Sequence, residues 1–146
     1  MSKTSIAIAS ILLLFCGLFP NTARSATTDQ AAAKASAIKA ADGWLKIVDG
    51  GKYDDSWIQA SSLFKDHITE DQWAQKVGAV RESTGPVISR KVASARYMTS
   101  LPGASDGEYV VIQYQTSFEN KKSAVETVTP MLDKNGSWRV SGYYIR

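Results

Sequence analysis

The hydrophobic rhythm of the chain changes at Pro86. Before it, apolar residues recur at helical spacing; after it, they alternate. Ala31, Ala35, Ile38, Leu45 and Val48 mark one helical face, with Ala32 and Ala41 beside them, and predict a helix over Thr28–Val48. Thr28 is placed to cap its start, with Asp29 against the positive end of the dipole. Gly50-Gly51 closes it, and Gly43 is a weak point inside it, costing about 1 kcal/mol against alanine. A second helix is expected over Asp55–Phe64, burying Trp57, Ala60, Ser61 and Phe64. Thr69-Glu70-Asp71-Gln72 reads as the capping box of a third, along which Trp73, Val77 and Val80 share a face before Gly85-Pro86 ends it.

Beyond Pro86 the alternation predicts four strands, Ile88–Ser100, Glu108–Phe118, Ser123–Leu132 and Ser137–Ile145. Asn135-Gly136 suits a two-residue type I′ hairpin, pairing Asp133 with Trp138, Met131 with Val140 and Thr127 with Tyr144. A symmetric turn in ENKK pairs Phe118 with Ser123 and Tyr114 with Thr127. Both turns then select one apolar face, carrying Val110, Ile112, Tyr114, Phe118, Val125, Met131, Trp138, Val140, Tyr144 and the side-chain gap at Gly142. Gln113, Gln115, Ser117, Glu126, Arg139 and Ser141 fall on the other, with Glu126 opposite Gln115 and solvated. Pro130 marks an edge or a bulge. Helices followed by an antiparallel meander predict an α+β fold, with helices on one face of a four-stranded sheet.

The start of the chain has a different character. Lys3 precedes the apolar run Ile6–Phe19; Pro20 breaks that run and small residues follow in NTARSA. That order describes a secretory signal peptide, residues 1–25, cleaved near Ser25. The run is 14 residues, short of the roughly 17–25 that span a bilayer as a helix. Export to the periplasm or medium is therefore expected, with no integral membrane span after cleavage. The only cysteine, Cys16, lies in the run behind Phe15, which does not suit a lipoprotein signal. The remaining 121 residues, 26–146, suit one domain with a core that holds without disulfides.

Removing Lys3 and Arg24 leaves 15 basic and 14 acidic side chains, interspersed without a basic block. Nucleic acid and anionic membrane are poor partners for such a surface. Metal and cofactor signatures are absent. A calcium loop placed on Asp49 fails at Asp54, where glycine is needed, and at Ala60, where glutamate is needed. His67 is the only histidine, the mature chain holds no thiolate, and no phosphate loop or nucleophile elbow occurs. No catalytic residue stands out. Asp54-Asp55 suits a helix start, and Asp49 alone in DGGKYDDSW is not explained by capping one. Tyr114, Trp138 and Tyr144, on the apolar sheet face, are the candidate lining of a ligand pocket against the first helix.

The run WLKIVDGGKYDDSW and the closing DKNGSWRVSGYYI resemble the bacterial exported family catalogued as domain of unknown function 4019. The likeness extends over nearly the whole mature chain, most specifically from Trp44 to Trp57 and from Asp133 to Ile145. The resemblance implies no catalytic residue. Its order of elements looks like the nuclear transport factor 2-like, or cystatin-like, α+β cone, in which a curved sheet wraps a helix. That fold serves isomerases, hydrolases and binding modules, so it does not choose among them. The expectation is a non-enzymatic envelope module that binds a small molecule or an envelope protein, with no cofactor; ligand identity and oligomeric state stay open. The alternative is a cone-fold isomerase or hydrolase using a buried carboxylate and tyrosine, the carboxylate drawn from the first strand or from helices, as Asp42 or Asp49.

Overall fold

A computed structural model describes residues 22–146, with side chains from Ala26 onward. The apolar run and Cys16 lie outside the described residues. Among the described residues four helices precede four strands: α1 (Thr22–Asp49), α2 (Tyr53–Gln59), α3 (Ser62–His67), α4 (Glu70–Thr84), β1 (Val87–Met98), β2 (Tyr109–Phe118), β3 (Ala124–Leu132) and β4 (Trp138–Ile145). The strands form one antiparallel sheet in the order β1-β2-β3-β4, an open curved α+β architecture compatible with a cone. No described helix is long and apolar enough to cross a membrane.

The helical half follows local chemistry with two corrections. First, α1 is described from Thr22, so Thr28 lies inside it and not at its start; TARSA offers no residue that breaks a helix. At its other end Gly51 takes φ +71°, Gly51 N–H donates to Val48 C=O and Lys52 N–H to Ile47 C=O, the Schellman pattern that glycine permits. Second, the expected helix Asp55–Phe64 is two helices. Ala60 and Ser61 are extended, and the Ser61 hydroxyl accepts from Phe64 N–H, starting α3. Asp54 and Asp55 sit in the first turn of α2, against the positive end of its dipole. The capping box of α4 is present, Thr69 Oγ1 accepting from Gln72 N–H and Gln72 Oε1 from Thr69 N–H.

The sheet keeps the expected face of β2: Val110, Ile112, Tyr114 and Phe118 are all buried. On β3 the face is inverted. Tyr114 lies opposite Glu126 rather than Thr127, so Ala124, Glu126, Val128 and Pro130 face the helices, and Val125 and Met131 do not. Glu126, expected in solvent, is 0 % exposed. The cause lies outside the hairpin. Its turn is gripped by the α4–β1 linker: Glu119 N–H donates to Pro86 C=O and Asn120 N–H to Thr84 C=O. Gly85, at φ +75°, makes that approach possible, since a Cβ there would stand 3.2 Å from Glu119 Cβ.

The last hairpin differs by the same single residue. Among Lys134, Asn135 and Gly136 only Gly136 has positive φ, so the type I′ turn does not form. Gly136 N–H bonds Asp133 C=O and Asp133 N–H bonds Ser137 C=O, closing a three-residue loop that sets Leu132 opposite Trp138. A bulge at Thr129/Pro130 then restores the expected Thr127–Tyr144 pair. The bulge reverses the far half of β4. Tyr143 and Ile145 share the helix side with Glu126 and Val128, while Gly142 and Tyr144 turn outward.

Between sheet and helices the core is filled. Ala41, Leu45 and Val48 of α1 meet Ile112, Val128 and Val140; each fully buried Leu, Ile or Val contributes about 1.5–3 kcal/mol. At one end the rings of Trp44, Phe64, Trp73 and Tyr143 gather with centroids 5.0–6.3 Å apart. Ser56, fully buried, joins two of them: Trp44 Nε1 donates to its carbonyl (2.8 Å) and Trp73 Nε1 to its hydroxyl (2.9 Å). The DGGKYDDSW corner thus carries the polar lock of the aromatic core.

Candidate functional site

The aspartate that helix capping left unexplained has a partner set. Asp49 ends α1. Arg81 lies four residues beyond Val77 on the buried side of α4, and Arg90 lies opposite Thr116 on the helix side of β1. With Glu126 they form a four-membered ionic cluster of zero net charge. Arg81 Nη2 donates to Asp49 Oδ1 (2.7 Å); Arg90 donates to Asp49 from Nη1 (2.7 Å) and Nη2 (3.0 Å). Arg90 also grips Glu126 from Nε (2.5 Å) and Nη2 (3.1 Å). Arg81 Nη1 stands 3.8 Å from Glu126 Oε1, at ion-pair distance without a hydrogen bond, while its guanidinium lies over the Phe118 ring.

Glu126 receives two further donors, the Thr116 hydroxyl (2.6 Å) and the Tyr143 phenol (2.7 Å). Four hydrogen bonds saturate both carboxylate oxygens. Burial pulls the Arg90 pKa down, but its bonds to Asp49 and Glu126 outweigh that and hold it above the ordinary arginine value. Burial, and next the Glu126 charge, push the Tyr143 phenol well above the usual tyrosine range. Each group is fixed in one state, Arg90 charged and Tyr143 protonated. Glu126 lines none of the five main hollows among the described residues, whereas Asp49 and Arg81 line one and Arg90 another.

On the other side of Tyr143 the molecule opens. A groove of about 380 Å³ runs between α4 and β4, walled by Phe64 and Ile68, by Trp73, Val77 and Val80, and by Tyr143, Tyr144 and Ile145. Lys76 and His67 supply the polar rim, and no carboxylate lines it. His67 Nδ1 is 2.8 Å from Leu63 C=O, so a protonated Nδ1 bonds its own helix and Nε2 stays available. Val80 and Tyr144 are 41 % and 53 % exposed, large apolar surface left at the groove mouth.

The three aromatic residues expected to share a pocket occupy three places. Tyr114 is buried beneath α1, its hydroxyl donating to Asp42 Oδ1 (2.8 Å), with burial and then Asp42 raising its pKa. Trp138 lines a separate, more polar hollow with Trp44, Gly43, Lys39 and Arg139. Tyr144 lines the α4–β4 groove. Sequence reasoning passed over Arg81, Arg90 and Tyr143, and placed Glu126 in solvent. One signal was available: Trp73, Val77 and Arg81 recur every four residues, which places Arg81 on the buried stripe, where it needs a carboxylate. Among the described residues no three His, Cys, Asp or Glu side chains converge as metal ligands would.

A family model described as "Protein of unknown function (DUF4019)" matches residues 40–143, from the last third of α1 to Tyr143 in β4. The chain belongs to this family. Its span takes in the Trp44–Ser56 lock, Asp49, both arginines, Glu126 and Tyr143. No curated protein matches the chain.

Proposed function

We propose that this DUF4019 protein is a non-enzymatic binding module of the cell envelope, exported by residues 1–25, whose ligand seats in the groove between α4 and β4. The observation that carries the reading is the groove itself, about 380 Å³ of aromatic and aliphatic wall without a carboxylate. Its size falls within the range of ligand sites, and its mouth keeps Val80 and Tyr144 in water at a cost that a ligand would relieve. Of the three aromatic residues proposed for a pocket, Tyr144 lines this one, and Trp138 lines a second, smaller and more polar hollow.

The alternative of an isomerase or hydrolase draws support from a buried carboxylate beside a tyrosine, Glu126 with Tyr143. The same contacts weigh against it. A general base needs a free lone pair within reach of a substrate, and four donors occupy Glu126 while two arginines stabilise its charge.

A thermal-shift screen of the chain from Ala26, against aliphatic carboxylates, aromatic amphiphiles and short peptides, tests the binding reading. Stabilising compounds should lose their effect in Val80→Glu; stabilisation that survives this substitution places the ligand elsewhere. Export is tested by sequencing the N-terminus of protein from the envelope fraction, which should begin at Ala26.

A further inference from the structure

We propose that the occupant of the α4–β4 groove is an extended polypeptide segment of another protein, apolar with acidic residues, which joins the sheet as a fifth strand along β4. This rests on the groove being the binding site and adds the class of its ligand. The first observation is the hydrogen-bond phase of the sheet. β4 is an outer strand. Val125 and Arg146 exchange both backbone hydrogen bonds, so alternation makes Thr127–Tyr144 and Thr129–Gly142 the next bonded pairs. The N–H and C=O of Tyr143 and Ile145 then point away from β3, along the side where Ser141–Ile145 line the groove. Val140 C=O opens on the same side and is already taken by Ser61 N–H (2.9 Å), which covers only the upper end of the edge.

The second observation is what the two outer strands carry. β1 bears Arg90, Lys91 and Arg96 and two register irregularities, devices that discourage strand addition. Ser141–Ile145 contains no charge and no proline, and the one bulge of its strand falls at its first residue, Ser141, leaving Gly142–Ile145 in regular register. An open, uncharged edge beside an apolar trough matches strand addition, in which main-chain bonds supply affinity and alternate side chains fill a groove. A fatty chain or an aromatic small molecule would cover Val80 and Tyr144 but leave the edge amides of Tyr143 and Ile145 unpaired. Charge selects further: Lys76 and His67 line the groove, and no carboxylate does.

The test uses the chain from Ala26, labelled with ¹⁵N, and the peptide acetyl-Glu-Val-Glu-Leu-Glu-Val-amide. Binding should shift the Tyr143 and Ile145 amides and slow their hydrogen exchange about tenfold or more. N-methylation of alternate peptide bonds should weaken the peptide about tenfold in one register of methylation and little in the other. Ile145→Pro, which removes an outward N–H without breaking the β3 ladder, should weaken it about tenfold, and Ile145→Ala by much less. Decanoate serves as the apolar probe. Decanoate binding that is lost in Val80→Glu, with no peptide binding or with binding indifferent to N-methylation, overturns the strand proposal and leaves the groove reading standing. Failure of both probes overturns both. A dimer of the free chain that protects the Tyr143 and Ile145 amides also overturns the proposal, because the occupant is then a second copy.

Discussion

The two sides of Tyr143 make opposite use of the same sheet. On one side Asp49, Arg81, Arg90 and Glu126 hold two positive and two negative charges in a nearly closed space, and Glu126 is saturated by four donors. On the other side Trp73, Val77, Val80, Tyr144 and Ile145 frame open apolar surface, next to an edge whose amides have no strand partner. The phenol hydroxyl of Tyr143 serves the cluster and its ring walls the groove. The proposed function therefore rests not on the buried carboxylate, whose four acceptor positions are filled, but on the surface with bonding capacity left over, where a ligand would gain something.

The largest effect that can break this contrast comes from the cluster. Glu126→Ala leaves Arg90 without one of its carboxylates and Arg81 with a buried Nη1 facing nothing. Removing one partner of a buried ion pair costs about 3–5 kcal/mol. Urea unfolding should report a loss of that size with an unchanged slope. A loss below about 1 kcal/mol would mean that the arginines find water, and the cluster is not the closed unit described.

Next is the lock behind the groove wall. Ser56→Ala removes the acceptor of Trp73 Nε1 and leaves that N–H buried, at a cost of about 1–3 kcal/mol; Trp44 keeps its bond to the Ser56 carbonyl. A red-shift change in Trp73 fluorescence without loss of stability would separate wall geometry from folding.

Alkali sharpens the role of Tyr143. Its folded pKa is raised above the unfolded value of about 10, so its contribution is complete below about pH 10 and is lost as pH climbs toward the folded pKa, because only the unfolded chain releases the proton. Tyr114 acts with the same sign. Urea midpoints at pH 9, 10 and 11 should fall, and Tyr143→Phe should make the fall shallower by up to about 1.4 kcal/mol per pH unit. Equal slopes in both chains would place the Tyr143 phenol in contact with solvent.

How much of this was legible in the sequence follows from where each signal resides. The α4 capping box, the glycine stop of α1, the four strands and the α+β order are encoded within a few residues of where they act, and they read correctly. The face of β3 does not reside there. In AVETVTP either parity offers apolar or β-branched residues, and the choice is made by Pro86 and Thr84 holding the turn at Glu119-Asn120 from another element. One residue of slip carried Glu126 from solvent to core, and the bulge at Thr129/Pro130 carried Tyr144 the other way. The charge cluster was hidden for the same reason, since its four members come from four elements.

The smallest effect on stability falls on the groove, and it is the one that separates the two regions most cleanly. Val77 and Val80 both line the groove, yet Val77 is buried and Val80 lies at the mouth. Val77→Ala removes buried methyl groups between α4 and the core and should cost about 1–2 kcal/mol. Val80→Glu places a charge where water already reaches, so its cost should stay within about 0.5 kcal/mol. Its effect on binding should be the reverse, because a carboxylate at the mouth repels an acidic segment and spoils the apolar wall. A folded, equally stable Val80→Glu protein that no longer binds decanoate or the acidic peptide makes the groove dispensable for folding and necessary for binding. Were Val80→Glu to unfold the chain as Glu126→Ala does, the groove would be core after all, and the distinction between used and unused bonding capacity would not hold across Tyr143.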